Sequence, residues 1–224
     1  MMKKMGMVLL ALVLIVQVCL AEGVHVYVSI TNSAGEIVLA HEKIAVSDSD
    51  GDGVISIHDA LACAHAEKYE GSDGYLAEQT EYGMSLVRLW GEENNGSLGY
   101  YLNHASAWSL MDAVQEGDHV KAYAYTDLDT WSDTYCYFDA DEMTIAAGEE
   151  TTLKLNAAAF DAAWNPVVVP VAGACLVVDG VESEFVTDEN GCVTLKLEQP
   201  GVYVISAKSS EQVLVPPVCI ATVK

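Results

Sequence analysis

Positive charge is scarce in this sequence. Its 224 residues carry ten Lys and Arg against 33 Asp and Glu, a formal net charge of −23. Such a surface repels polyanions, which excludes nucleic acid as a partner and argues against docking on anionic membranes. Beyond the first two dozen residues no apolar run reaches membrane-spanning length. No CxxC pair occurs, so the usual zinc frameworks are excluded. GxSxG, HExxH and phosphate-cradling glycine loops are missing too, and nothing points to an enzyme. The carboxylates are too numerous for a glycosidase pair to stand out. Disorder is excluded as well, because 51% of the residues are hydrophobic and aliphatic alternation is widespread.

The chain opens with Lys3 and Lys4, then the apolar run "MVLLALVLIVQVCLA". A short basic region, a short apolar core and small residues near Ala21 predict a secretory signal peptide over residues 1–21, with an uncleaved membrane anchor as the alternative. The protein is therefore expected to be secreted or extracellular, either free or associated with the cell surface. Five cysteines follow it: Cys63, Cys136, Cys175, Cys192 and Cys219. Export permits disulfides, but an odd count leaves at least one thiol unpaired, and the pairing is open.

Hydrophobic periodicity organises the rest. "VHVYVSIT" puts Val24, Val26, Val28 and Ile30 on one face and His25, Tyr27, Ser29 and Thr31 on the other, a half-buried strand. "EIVLAHEKIAV" pairs with it across a turn. "HDALACAHAEKY" lacks breakers and predicts a short helix from His58 to Tyr69, with His58 and His65 as a surface pair two turns apart. "MSLVRLWGEENNGSLGYYLNH" predicts a hairpin about Asn95–Gly96, followed by strands at "HVKAYAYTD", "TYCYF" and "TTLKL". Composition shifts at "NAAAFDAAWNPVVVP", read as a linker. Short, closely spaced strands then run to the C-terminus, as in a β-sandwich. The predicted class is α+β: a β-grasp-like domain with one helix over residues 22–157, then a small all-β immunoglobulin-like sandwich over 158–224.

One segment carries chemistry. "DSDGDGVISIHDAL" places Asp48, Asp50 and Asp52 at positions one, three and five of a calcium loop. Gly53 makes the bend at six, Val54 offers its carbonyl at seven, Ser56 stands at nine and Asp59 closes at twelve, in the first helical turn. A hard cation needs such alternating oxygens and a sharp bend, so the predicted cofactor is Ca²⁺, bound over residues 48–59. "TDENG" is acidic as well, but Asp188, Asn190 and Gly191 read as a β-turn.

This loop, entered from a strand and closed by Asp, resembles the calcium repeat of dockerin modules; one repeat is present, where dockerins carry two. More of the chain resembles the domain at the C-terminus of transcobalamin. Asp59-Ala60-Leu61, Tyr101-Leu102-Asn103 and Gly117-Asp118-His119-Val120 stand where that family has its helix start, its "Y-x-N" strand and its "dGD-v" strand. "PVAGACLVVDG…TDENGCVTLKL…GVYVISA" resembles the immunoglobulin-like and carboxypeptidase-regulatory-like modules of bacterial surfaces. The resemblances imply a non-enzymatic surface or secreted binding or adhesion module, with calcium as a structural staple. The alternative they imply is capture of a corrinoid or a carbohydrate. Trp90, Tyr100, Tyr101, Trp108, Tyr123, Tyr125, Trp131, Tyr135 and Tyr137 crowd the middle of the chain. Such rings serve a flat ligand if exposed, or cross-strand packing if buried.

Overall fold

In the computed structural model residues 23–71, 73–94 and 97–224 are described; the predicted signal peptide and the Asn95–Gly96 turn lie outside them. The described residues are mostly β, with one helix among them. Strands β1 (Val24–Thr31) and β2 (Ile37–Val46) form the first antiparallel pair. The acidic loop leads into helix α1 (Ile57–Lys68). Strands β3 (Leu76–Thr80), β4 (Gly83–Leu89) and β5 (Glu92–Glu93) make a small separate sheet. Strands β6 (Leu98–Leu102), β7 (Ala105–Ser106) and β8 (His119–Ala124) return to the first sheet, whose order is β2-β1-β8-β6-β7. Its central pair, β1 and β8, runs parallel. Parallel strands need a crossover, and here α1 lies within it and covers one face of the sheet. Ile57, Ala60, Leu61 and Ala64 pack there against Val26, Val28, Ile30, Ile44 and Val120.

Two expectations for this half are corrected. Residues 84–104 do not form one hairpin about Asn95–Gly96. β4 instead turns back into β5 through Trp90 and Gly91, with Leu89 opposite Glu92. Both turn residues have positive φ, 50° and 82°, the two-residue geometry that matches strand twist. β6 pairs with β8 and β7. Nor is β1 half-buried along its whole length: His25 and Tyr27 keep the alternation, but Ser29 and Thr31, on the same polar face, are as buried as Val28 and Ile30. The reason is that the C-terminal half packs on that face. The Lys121 ammonium, from β8, donates to the carbonyl of Pro216, and Asp141 reaches His119.

That second half begins at β9 (Thr134–Phe138), β10 (Glu142–Ile145) and β11 (Glu150–Phe160). It continues through β12 (Pro166–Pro170), β13 (Cys175–Val178), β14 (Val181–Val186), β15 (Cys192–Lys196) and β16 (Gly201–Lys208). β17 (Leu214–Val215) and β18 (Cys219–Val223) complete it. One sheet runs β10-β18-β16-β13-β14, another β12-β11-β9-β17, and β15 pairs with β11. Phe138, Leu153, Leu155, Leu176, Leu195 and Ile205 fill the core between them. The "NAAAFDAAWNPVVVP" stretch is therefore not a linker. It is the hairpin β11–β12, with Asn156 opposite Pro170 and Phe160 opposite Pro166. A boundary at 157 would cut β11. The two main cores instead separate between Ala124 and Thr134, where Asp127 ties "TDLDTWSD" together by accepting from Thr130 and Ser132.

Candidate functional site

The acidic loop leaves β2 at Val46 and ends at the α1 N-terminus. Asp48 accepts the Gly51 N–H on Oδ1 (2.7 Å) and the Gly53 N–H on Oδ2 (2.9 Å). Asp50 accepts the Asp52 N–H, and Asp52 accepts the Val54 N–H. Gly51 and Gly53 have φ of 78° and 90°, the left-handed region open to glycine. An added Cβ at either would meet nothing within 4 Å, so the requirement is conformational and not spatial. This winding brings one oxygen each of Asp48, Asp50 and Asp52 within 4.8 Å of one another. The donor set is all oxygen, which suits a hard cation.

The other three predicted ligands stand differently. Val54 is 41% exposed. Ser56 is the N-cap of α1 and forms a capping box with Asp59. Asp59 is fully buried; its Oδ1 accepts Ser49 N–H and O–H, its Oδ2 accepts Ser56 N–H and O–H, at 2.6–2.9 Å. Burial alone would raise the Asp59 carboxyl, but these four bonds hold it below the usual carboxylate range. Asp59 thus splices the loop start to the helix start. Asp59→Ala is expected to lower stability in metal-free buffer by about 1–3 kcal/mol, because it strands buried donors. Asp52→Ala should leave metal-free stability unchanged. Urea denaturation in chelator checks both, and equal effects would sink this division of roles.

His65 is not a surface residue. It is buried, with Nδ1 on the Leu61 carbonyl and Nε2 accepting the Trp90 N–H. His58 bonds the Tyr75 hydroxyl. The aromatic residues divide. Tyr123 and Tyr135 are buried, with Tyr101, Tyr125 and Tyr137 packed against them where the two halves meet. Trp108 is 96% exposed and, with Tyr82 and Tyr100, borders an open groove of about 820 Å³. "TDENG" forms a turn, in which Asp188 Oδ1 accepts the backbone N–H groups of Asn190 and Cys192. All five cysteines in the described residues are unpaired.

The sequence reading missed a second convergence, of His41, His119 and Asp141. No local pattern marks it, since the three come from β2, β8 and the approach to β10.

No family model matches this chain, and no curated protein matches it. Among solved structures, the N-terminal four Ig domains of Dscam1 isoform 7.44 align at 10% identity with a TM-score of 0.26, over 90% of this chain and 44% of that one. The tandem Ig repeats of Dlar align at 9% identity and 0.26, over 68% and 77%. The D0-D1 domain of intimin aligns at 13% identity and 0.27, over 87% and 94%. The chain thus spans less than half the length of the Dscam1 structure. Likenesses this loose define neither its fold family nor its function. No helix among the described residues is long and apolar enough to cross a membrane.

Proposed function

We propose that the protein is an exported, non-enzymatic binding or adhesion module of bacterial type, whose N-terminal half is braced by calcium. The observation that carries this is the convergence of the Asp48, Asp50 and Asp52 carboxylates over two left-handed glycines. Val54 supplies a carbonyl at the loop rim, and Asp59 fixes the helix that the loop enters. The order β2-β1-β8-β6 with a parallel centre supports a β-grasp-like reading of the first half, in the manner of the transcobalamin C-terminal domain. Two facing sheets support an immunoglobulin-like reading of the second. The exposed hairpin β11–β12, with Phe160, Trp164 and Val168, is the surface such a module would offer to a protein partner. The acidic surface and the leader read in the sequence support a secreted or cell-surface location.

Calorimetry with CaCl₂ tests the brace. Affinity is expected at about 10⁻⁴ to 10⁻³ M, as in extracellular modules. At a hundredfold excess over Kd, calcium should add about 2.7 kcal/mol of stability by linkage. Asp52→Ala should abolish both heat and thermal shift. A wild-type response in that variant would refute the ligand assignment.

The groove beside Tyr82, Tyr100 and Trp108 favours a second reading, capture of a flat ligand such as a corrinoid or a carbohydrate. If it holds, the purified protein retains a cobamide or a glycan from a mixed pool, and Trp108→Ala loses it. Retention unchanged in Trp108→Ala would move that ligand elsewhere.

A further inference from the structure

We propose that His41, His119 and Asp141, with His104 beside them, form a zinc-type divalent metal site at the seam between the two halves. One ring nitrogen each of His41 and His119 and one oxygen of Asp141 lie within 4.8 Å of one another. Asp141 Oδ1 is 3.3 Å from His119 Nδ1 and 3.4 Å from His104 Nε2. In a tetrahedral site with bonds of about 2.0–2.1 Å, neighbouring donors stand roughly 3.3–3.4 Å apart. Imidazoles joined by a carboxylate select zinc, cobalt or nickel over calcium and magnesium, so this chemistry is separate from that of the oxygen-only loop.

The surroundings are those of a built site. The His41 side chain is only 4% exposed and its Nδ1 has no hydrogen-bond partner. An unpaired buried nitrogen is costly and calls for an explanation. His119 Nε2 lies 2.9 Å from the buried Ser29 Oγ, which also accepts the His41 backbone N–H. A proton on Nε2 leaves the Nδ1 lone pair free towards Asp141; such a second contact orients metal-bound imidazoles generally. His104 Nδ1 lies 3.1 Å from the Tyr135 hydroxyl. His41 stacks on Tyr27 and His104 on Tyr137, each at 4.2 Å and nearly parallel. The rings are therefore held in place before any ion arrives.

The backbone agrees. His41 and His104 have φ of 48° and 64°, a region that side-chain-bearing residues rarely occupy except where the surroundings impose it. Lys121 is the opposing charge nearby, and Asp141 and Glu142, the latter 3.4 Å from His41 Nε2, offset it. Of the three convergent donors, His41 and His119 come from β2 and β8 and Asp141 from the second half, so an ion would pin the halves together. His104, from the β6–β7 turn, stands beside Asp141, and its ring would close in as the fourth donor when an ion binds.

The competing account is that Asp141 simply accepts N–H bonds from His104 and His119. Titration of the purified full chain with Zn²⁺, in millimolar Ca²⁺ to saturate the loop, separates the two. One Zn²⁺ per chain is expected, and Co²⁺ should give the intense visible absorption of four-coordinate cobalt. Ser29→Ala should lower Zn²⁺ affinity about 10–100-fold. His119→Gln should abolish binding, while Asp52→Asn should leave it intact. The wild-type cobalt spectrum and Ser29→Ala decide the matter even if His119→Gln does not fold. Absent stoichiometric Zn²⁺ binding, weak six-coordinate cobalt absorption, or affinity unchanged in Ser29→Ala would each overturn the site. The calcium reading stands or falls separately.

Discussion

Above pH 9 the protein is expected to lose stability steeply, by about 4 kcal/mol for each of two thiols as pH approaches 12. The groups are Cys136 and Cys219, both fully buried. Burial pushes Cys136 up to about 12, outweighing the pull of the Lys121 ammonium. Burial, reinforced by the carboxylates of Asp141, Asp139 and Glu142, does the same to Cys219. The unfolded chain releases both protons as pH passes about 9, while the folded chain keeps them until about 12. Their contribution is thus whole below pH 9 and lost on rising through the window. Tyr123 and Tyr135, raised chiefly by burial, act in the same direction from pH 10 upward. Cys136→Ala isolates one thiol. At pH 7 it should be less stable than wild type by about 1–2 kcal/mol, since it loses packing and the bond to the Val215 carbonyl. The deficit should shrink above pH 9 and then reverse. Urea denaturation from pH 7 to 11 under reducing conditions measures this, and parallel stability curves would refute it.

The elements legible in the sequence are those whose cause is local. The alternation of Val24 to Thr31 and the breaker-free run of α1 each specify their element from neighbours in the chain, and the helix starts at Ile57, one residue before the reading. The acidic loop was legible for the same reason: its bends, its turn bonds and its three convergent carboxylates lie within seven residues. The role of Asp59 was not, because Ser49 competes for its carboxylate and only the folded loop shows that. What stayed hidden was everything caused at a distance. A period of two assigns Ser29, Thr31, His119 and Lys121 to a polar face but cannot say that the second half covers it. Ala157, Ala158 and Ala159 look like linker because small residues carry little pattern, yet they pair with Val169, Val168 and Val167 across a regular hairpin. The seam histidines are scattered over nearly eighty positions and only the parallel β1–β8 pairing gathers them.

Lys121→Met is expected to stabilise the protein at pH 7, by about 1–3 kcal/mol. The residue is 2% exposed on the central strand β8. Its ammonium has the Pro216 carbonyl as hydrogen-bond partner and sits 5.3 Å from the centre of the Tyr135 ring. Burial pushes it down to about 8, against the smaller upward pull of Cys136 and Asp141. A lysine with an ordinary value of 10.5 that falls to about 8 on folding costs about 3 kcal/mol while charged in both states. The unfolded chain binds the extra proton between pH 8 and 10.5, so this cost fades as pH rises through that window and stays in full below it. Methionine matches the length of the stem, fills the same space and removes the charge. It gives up the bond to Pro216 and the contact over Tyr135, which is why the expected gain falls short of the full cost. Two readouts follow. Stability at pH 7 should rise, and the upward slope that wild type shows between pH 8 and 9, before the thiols take over, should vanish in the variant. A loss of more than about 1 kcal/mol at pH 7 would mean that the seam needs the ammonium, and that Asp141 and the ring beneath it more than offset its burial.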